Sequence, residues 1–407
     1  MHYGPGMNSH VTNRGGLLPV MLAIGSGMLA MGVALSALPL ELQSRFACGT
    51  TMIGLIMGIQ SVATVLSRPR AGRMADRLGG RNTLLCGLLC TACSALAYSL
   101  ALVPVLPPAM QQAMIVAGRL AMGLGEGLMV TGGGVWAVTK VGSARAGAAM
   151  SWVGLAIFAG LGLGTALGDE IEAHAGFGPL CLVALALPVA GMGLTVILPA
   201  SVPPRAGGQT GGPAGGIRWK HLIGHTWIWG LTLGLSAVGF AAISSFLVIF
   251  YAAQGWHGGG WALGAFGAGH VIARLVGSRH VDRDDVRPMA AAIMLAEALG
   301  LALIWLAPGP AWAVAGSFLT GLGFSLTYPL LALPVLRQAP PAAAGSAIGL
   351  FDVFFDIAAG IGAVLSGLLS GAAGPGSPFA MAMLAAVAGC VVMLARPQGM
   401  KGGGRGP

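Results

Sequence analysis

Twelve apolar runs of roughly bilayer length divide this chain between residues 17 and 395. A hydrocarbon core asks for about twenty apolar residues in a helix. Turn-forming residues mark the runs off at 17–40, 48–67, 83–104, 111–135, 146–167, 177–200, 224–252, 260–277, 288–307, 311–334, 344–370 and 376–395. A chain so patterned has few folds open to it, because in lipid every backbone N–H and C=O must be bonded within the protein, and helices do this segment by segment. Composition agrees: 56% of the 407 residues are hydrophobic and 8% charged, against roughly a quarter charged in soluble domains. The 69 glycines are scattered through the apolar runs, where they let helices pack backbone to backbone. The expectation is an all-α integral membrane protein of twelve transmembrane helices with the lipid bilayer as its surroundings.

Several function classes drop out on the same grounds. The net charge of +9 sits in short loops between spans, so it reads as a topology signal and not as a nucleic-acid surface. The six cysteines lie mostly inside or at the ends of spans, which argues against a disulfide framework. Cys90 and Cys93 form a CxxC in mid-span, read as packing. His221 and His225 share a helical face with no third ligand near them in sequence, so no metal is expected. No cofactor is expected either, and no nucleotide-binding loop is present to support ATP drive. Residues 1–16 are polar and the run that follows lacks a small-residue cleavage site, so it reads as a retained first helix.

Basic residues set the topology, since positive loops resist translocation. Arg14, the group Arg68, Arg70, Arg73, Arg77 and Arg81, then Lys140 and Arg145, fall on one side of the alternating loops. Arg205, Arg218, Lys220, Arg279, Arg283, Arg287, Arg337 and the C-terminal basic residues fall on that side too, whereas the other side holds only Arg45. Both termini are therefore expected in the cytoplasm. The longest polar gap, Ser201 to His221, carries Pro203-Pro204 and three Gly-Gly pairs and reads as a flexible linker. The expected division is an N-terminal half at 1–200, a linker at 201–222 and a C-terminal half at 223–407.

An internal repeat ties the halves together. Shifting the sequence by 206 residues places Gly54, Gly58, Arg68, Arg73, Asp76, Arg77 and Arg81 on Gly260, Gly264, Arg274, Arg279, Asp282, Arg283 and Arg287. A shift of 198 places Gly118, Gly123, Gly125, Gly147, Gly162 and Gly164 on Gly316, Gly321, Gly323, Gly345, Gly360 and Gly362. With charges so rare, five coincident charges in one register are not accidental. Two parallel six-helix repeats follow, related by a pseudo-twofold axis along the membrane normal.

The stretch Gly72-Arg73-Met74-Ala75-Asp76-Arg77-Leu78-Gly79-Gly80-Arg81 resembles the signature cytoplasmic loop of the major facilitator superfamily. Arg119 with Gly123-Leu124-Gly125 is similar to the superfamily's fourth-helix motif. Gly123 to Gly127, Thr131 to Trp136, Ser151 to Gly154 and Phe351 to Asp356 resemble a bacterial branch of permeases often labelled arabinose or sugar efflux. Drug:proton antiporters carry a Gly-Pro pair in helix 5, where this chain has Gly160-Leu161-Gly162-Leu163-Gly164. The resemblance implies the major facilitator fold in a bacterial inner membrane, with helices 1, 4, 7 and 10 lining a central cavity and 2, 5, 8 and 11 flanking it. It also implies a monomeric secondary carrier working by alternating access.

Charges at bilayer depth are costly unless paired or hydrated, so each is a functional candidate. Arg119 and Glu126 stand seven residues apart on one helical face, as Asp352 and Asp356 do at four. The carboxylates are candidates for proton coupling and Arg119 for a fixed charge on the substrate path, the plainer alternative being that Arg119 and Glu126 neutralise each other. Glu297 and His270 read first as packing residues. Trp136, Trp152, Tyr328, Phe351 and Phe355 are candidate cavity aromatics. Gly72, Arg73, Asp76, Arg77, Gly79 and Arg81, with Arg279, Asp282 and Arg283 in the repeat, form a candidate cytoplasmic gate. The expected function is secondary active transport of a small organic solute, driven by protons and directed outward. Uptake by symport is the alternative within that class. A polytopic membrane enzyme would need a catalytic constellation that the short outside loops lack, and a non-transporting receptor would have lost its intramembrane charges. Apart from Gln60 and the Gln111-Gln112 pair at the edge of a span, the spans hold no side-chain amides, which weighs against a sugar.

Overall fold

A computed structural model describes residues 16–142, 145–197, 219–277, 285–338 and 344–395. The described chain forms twelve α-helices. Those of the first half are α1 (Leu18–Ser44), α2 (Thr50–Leu78), α3 (Gly80–Ala101), α4 (Pro108–Val141), α5 (Ala146–Ala175) and α6 (Phe177–Ile197). Those of the second are α7 (Trp219–Ala253), α8 (Gly259–Gly277), α9 (Arg287–Trp305), α10 (Pro310–Gln338), α11 (Ala344–Ala373) and α12 (Ser377–Ala395). Eleven are long and apolar enough to cross a membrane by themselves. The remaining one, α8, is diluted by its glycines, His270 and Arg274.

Helix boundaries differ from the hydropathy reading where charge was taken for a loop. The run expected to end at 67 continues as α2 to Leu78, so most of the Gly72–Arg81 motif is helical. Arginine and methionine are good helix formers, and the helix accommodates Pro69 and Gly72 before it ends at Gly79. Gly79, at φ +84°, is the whole connection to α3, in a conformation that glycine adopts without strain. Helix α4 likewise runs on to Val141 and is closed by Gly142 at φ +82°. Helix α7 begins at Trp219, so residues 219–222 of the expected linker are helical.

Two seams join the halves, and both are built on the repeated glycines. At α2–α11, a Cβ on Gly58 would come within 2.8 Å of the Gly360 carbonyl, and one on Gly54 within 3.1 Å of Gly367 Cα. At α5–α8, a Cβ on Gly162 would come within 2.9 Å of Gly267 Cα, and one on Gly264 within 3.2 Å of the Gly162 carbonyl. Glycine is required at such distances because any side chain would force the helices apart. The two shifts map Gly58 and Gly360 onto Gly264 and Gly162, so the sequence repeat is also a repeat of contacts.

Closure is strongest at the end of the bundle away from the termini. There Leu38 and Leu42 of α1 share one buried cluster with Phe246 and Ile249 of α7. Beside them, the Gly260 amide donates to Asp169 Oδ1 at 3.0 Å and Trp261 Nε1 donates to Glu170 Oε1 at 2.7 Å. On the terminal side, the polar groups between the halves retain partial exposure.

Candidate functional site

Arg68 stands at the centre of the polar constellation between the halves. It lies on α2 and is one of the residues that topology counting placed in a cytoplasmic loop. Its Nε donates to Asp356 Oδ2, its Nη2 donates to Asp356 Oδ1 at 3.1 Å and its Nη1 donates to Asp352 Oδ2 at 3.1 Å. The α11 spacing of four residues presents both aspartates to one planar guanidinium, which matches carboxylates in fork geometry. The Tyr328 hydroxyl on α10 donates to Asp352 Oδ1 at 2.7 Å, extending the network across the second half.

On the first-half side, Glu126 Oε2 accepts from Gln60 Nε2 at 2.9 Å and stands 3.2 Å from Thr64 Oγ1. Arg119 is buried and donates from Nη2 to the Met57 carbonyl at 2.9 Å. Both therefore engage α2, and among the described residues they form no ion pair with each other. Glu126, Arg119, Gln60, Thr64 and Asp356 line a narrow cavity of about 50 Å³, together with Met31 of α1, Phe240 and Ser244 of α7 and Phe355 of α11. The space admits about one water molecule. Polar side chains from both halves thus meet at a narrow waist.

Beside the waist lies an aromatic cluster drawn from both halves. Phe240 stacks on Phe324 with ring centroids 5.7 Å apart, and Phe355 lies 6.0 Å from each. Phe158 of α5 stacks on His270 of α8 at 3.6 Å. His270 is buried, with neither ring nitrogen hydrogen-bonded among the described residues. The repeat shifts explain this placement: Thr64, Glu126, Asp352 and Asp356 map onto His270, Phe324, Gly154 and Phe158. Where one copy of the repeat carries Glu126 and Asp356, the other carries the rings of Phe324 and Phe158.

Among the remaining candidate residues, Phe351 is buried in the second half with its ring 5.4 Å from Tyr328. Trp136 is buried in the first half beneath Lys140, and Trp152 is exposed. Glu297 is buried, accepting from Ser236 Oγ at 2.6 Å with its other oxygen unpartnered among the described residues. Gly72 has open space around it, while Arg73, Asp76 and Arg77 are exposed near the terminal side. Arg81 donates to the Thr195 and Val196 carbonyls at 3.0 and 2.9 Å, satisfying the end of α6. Arg279, Asp282 and Arg283 lie outside the described residues. Just beyond them, Asp285 accepts from Arg287 Nη2 at 2.7 Å, and this bonding holds its carboxyl down at about 2.

Sequence reasoning missed Arg68, Gln60 and Thr64 as site residues. The signal was present for Arg68: its repeat mate Arg274 falls inside a span, so an arginine at that register belongs within the bundle.

The chain matches the Major Facilitator Superfamily over residues 20–259 and 257–405, and it belongs to that superfamily. It is 32% identical over 389 residues to "Uncharacterized MFS-type transporter STM4428" of Salmonella typhimurium, covering 96% of this chain and 98% of the relative. It is 32% identical over 346 residues to "Uncharacterized MFS-type transporter YhhS" of Escherichia coli K12, covering 85% and 84%. Its fold is similar to the human organic anion transporter MFSD10, with a TM-score of 0.67 at 18% identity over 93% of this chain and 98% of that one. It is also similar to the nucleoside transporter NupG, with a TM-score of 0.72 at 14% identity over 93% and 99%. The chain is accordingly a multi-pass membrane protein and a secondary transporter.

Proposed function

We propose that this transporter is proton-coupled and exports a small organic solute across the bacterial inner membrane, with its termini in the cytoplasm. The observation that carries the reading is the gathering of three carboxylates across the joint between the halves: Asp352 and Asp356 on Arg68, and Glu126 in the cavity that it shares with Asp356 and Arg119. Arginine keeps its charge at all working pH values. Any change in the charge balance of this cluster must then come from protons on the acids or from a bound solute. A proton on Asp356 removes the bidentate partner of Arg68 and weakens the α2–α11 seam, so protonation and rearrangement of the halves are linked. Export follows if solute and proton occupy the cluster in turn.

With the termini in the cytoplasm, the closed end faces outward and the conformation is inward-facing. Gly72, Arg73, Asp76, Arg77, Gly79 and Arg81, with their repeat mates Arg279, Asp282 and Arg283, would then serve as the gate that closes when the bundle tips the other way. The exposure of Asp76 in this state supports that assignment.

The test begins with a thermal-stabilisation screen of purified protein, followed by flux of the best ligand into proteoliposomes under an imposed pH gradient. Glu126→Gln, Asp352→Asn and Asp356→Asn should each lower gradient-driven accumulation at least tenfold, while at least one retains counterflow exchange. Undiminished gradient-driven accumulation in all three and in the triple variant would refute proton coupling through this cluster.

A further inference from the structure

Arg274 is the repeat mate of Arg68, yet among the described residues no acid pairs with it. On α2, Arg68 faces Asp352 and Asp356 of α11. On α8, Arg274 faces the corresponding positions of α5, and these are Gly154 and Phe158. The contact itself is preserved, since a Cβ on Gly154 would lie 2.8 Å from Arg274 Nη2. What is missing is the carboxylate. Among the described residues the guanidinium donates once, from Nη1 to the Ser325 carbonyl at 3.0 Å, and no carboxylate pairs with it. A guanidinium carries five N–H donors, so most of this one's capacity has no acceptor among the described residues. A cation within a membrane span in that condition is costly to keep without a role.

The surroundings indicate what would complete it. Arg274 is half-buried on the side where Tyr328 is 37% exposed, so it is reached from the less closed side of the bundle. One turn back on the same helix, His270 offers two unpartnered ring nitrogens from a ring pressed against Phe158 and edged by Phe324. Donors without acceptors therefore adjoin an aromatic wall. We infer that Arg274, with His270 and the Phe158–Phe324 wall, forms a binding site for a small organic anion: a carboxylate or a similarly shaped acid on an apolar, ring-sized body. The solute's own acid group would take the place that Asp352 and Asp356 fill at the other seam. Binding would thus supply the second inter-half bridge, and its departure would remove it. This assigns a substrate class to the transport reading and rests on it.

Benzoate, benzylamine and benzyl alcohol share one ring and differ in charge, so they serve as probes. Thermal unfolding of the purified full-length protein, at fixed pH and ionic strength, should show a dose-dependent rise in midpoint with benzoate and not with the other two. Arg274→Gln should weaken the apparent benzoate affinity at least tenfold. Gly154→Asp places a carboxylate against the flexible end of Arg274 and should act oppositely on the unliganded protein. It should raise the midpoint without benzoate and abolish the response to it. The Gly154 variant keeps the test decisive should Arg274→Gln fail to fold. Absence of a benzoate response, equal responses to all three probes, or a response unchanged in the Gly154 variant would each overturn the site. Because no gradient enters this measurement, such a failure leaves proton coupling standing. Proton coupling fails separately, through undiminished gradient-driven flux in the acid variants.

Discussion

Across the α2–α11 seam, Gly58 meets Gly360 and Arg68 holds two aspartates; across the α5–α8 seam, Gly264 meets Gly162 and Arg274 meets Gly154. Backbone packing is common to the two seams while side-chain chemistry is not. Glycine contacts constrain both helices of a pair together, because a side chain on either one separates them, so these positions resist change in both copies. A charged partner can be lost from one copy once something else supplies it or the need disappears. The asymmetry therefore separates what the moving joint requires, close helix contact at both seams, from what was specialised at one of them.

The largest effect should come from removing the central cation. Arg68→Gln leaves Asp352 and Asp356 side by side at a partly buried joint, and since breaking a fully buried pair costs about 3–5 kcal/mol, the loss here should approach the lower end of that range. Unfolding measured in detergent should show that loss, largely restored by the triple change Arg68→Gln with Asp352→Asn and Asp356→Asn. The corresponding Arg274→Gln, with no acid among the described residues to strand, should cost less than half as much. Equal costs at both seams would mean that the chemical asymmetry has no energetic weight.

A second measurement concerns Arg119. Because it bonds the Met57 carbonyl and Glu126 bonds Gln60, a double-mutant cycle between Arg119 and Glu126 should give a coupling below about 0.5 kcal/mol, whereas the Gln60–Glu126 cycle should exceed it. Swapping the charges as Arg119→Glu with Glu126→Arg should then restore no transport. Recovery in the swap would return the two to a simple mutual pairing.

Overpacking the shared glycines should have smaller and matched effects. Gly58→Leu and Gly264→Leu each drive a side chain into a facing backbone carbonyl, at about 1–3 kcal/mol. Spin-label distances across the end away from the termini should lengthen to a similar degree in both variants. The smallest effect is expected from Asp76→Asn, since Asp76 is exposed here and the gate contact proposed for it belongs to the other state. An exposed carboxylate near a helix terminus contributes about 0.3–1 kcal/mol, which shifts the two populations by a factor of about two to five. Label distances on the terminal side that stay unchanged would leave Asp76 as part of a topology signal.

The fold was legible because its causes are local and repetitive. Span length, glycine seams and the 206- and 198-residue registers all follow from what lipid and close packing demand along a single helix. The end of α2 was misread for the same reason: hydropathy registers the loss of apolarity at Arg68, whereas the helix persists until Gly79 supplies a turn. Glu126, Asp352 and Asp356 stood out as charges in spans. The partner of the two aspartates did not, because Arg68 was absorbed into a run of topology-setting arginines. Gln60 and Thr64 matter through their position opposite α4, and one-dimensional patterning carries no information about which face meets which neighbour.

The bond from Trp261 Nε1 to Glu170 Oε1 offers an optical handle on the cycle. It joins α8 to α5 at the closed end, so separation of the halves at that end would break it and closure would re-form it. An indole leaving a carboxylate partner changes its emission without any attached dye. The chain has nine tryptophans, and a variant retaining Trp261 alone would glow differently in its two conformations. Turnover would then be visible as light from the protein itself, before its solute has been named.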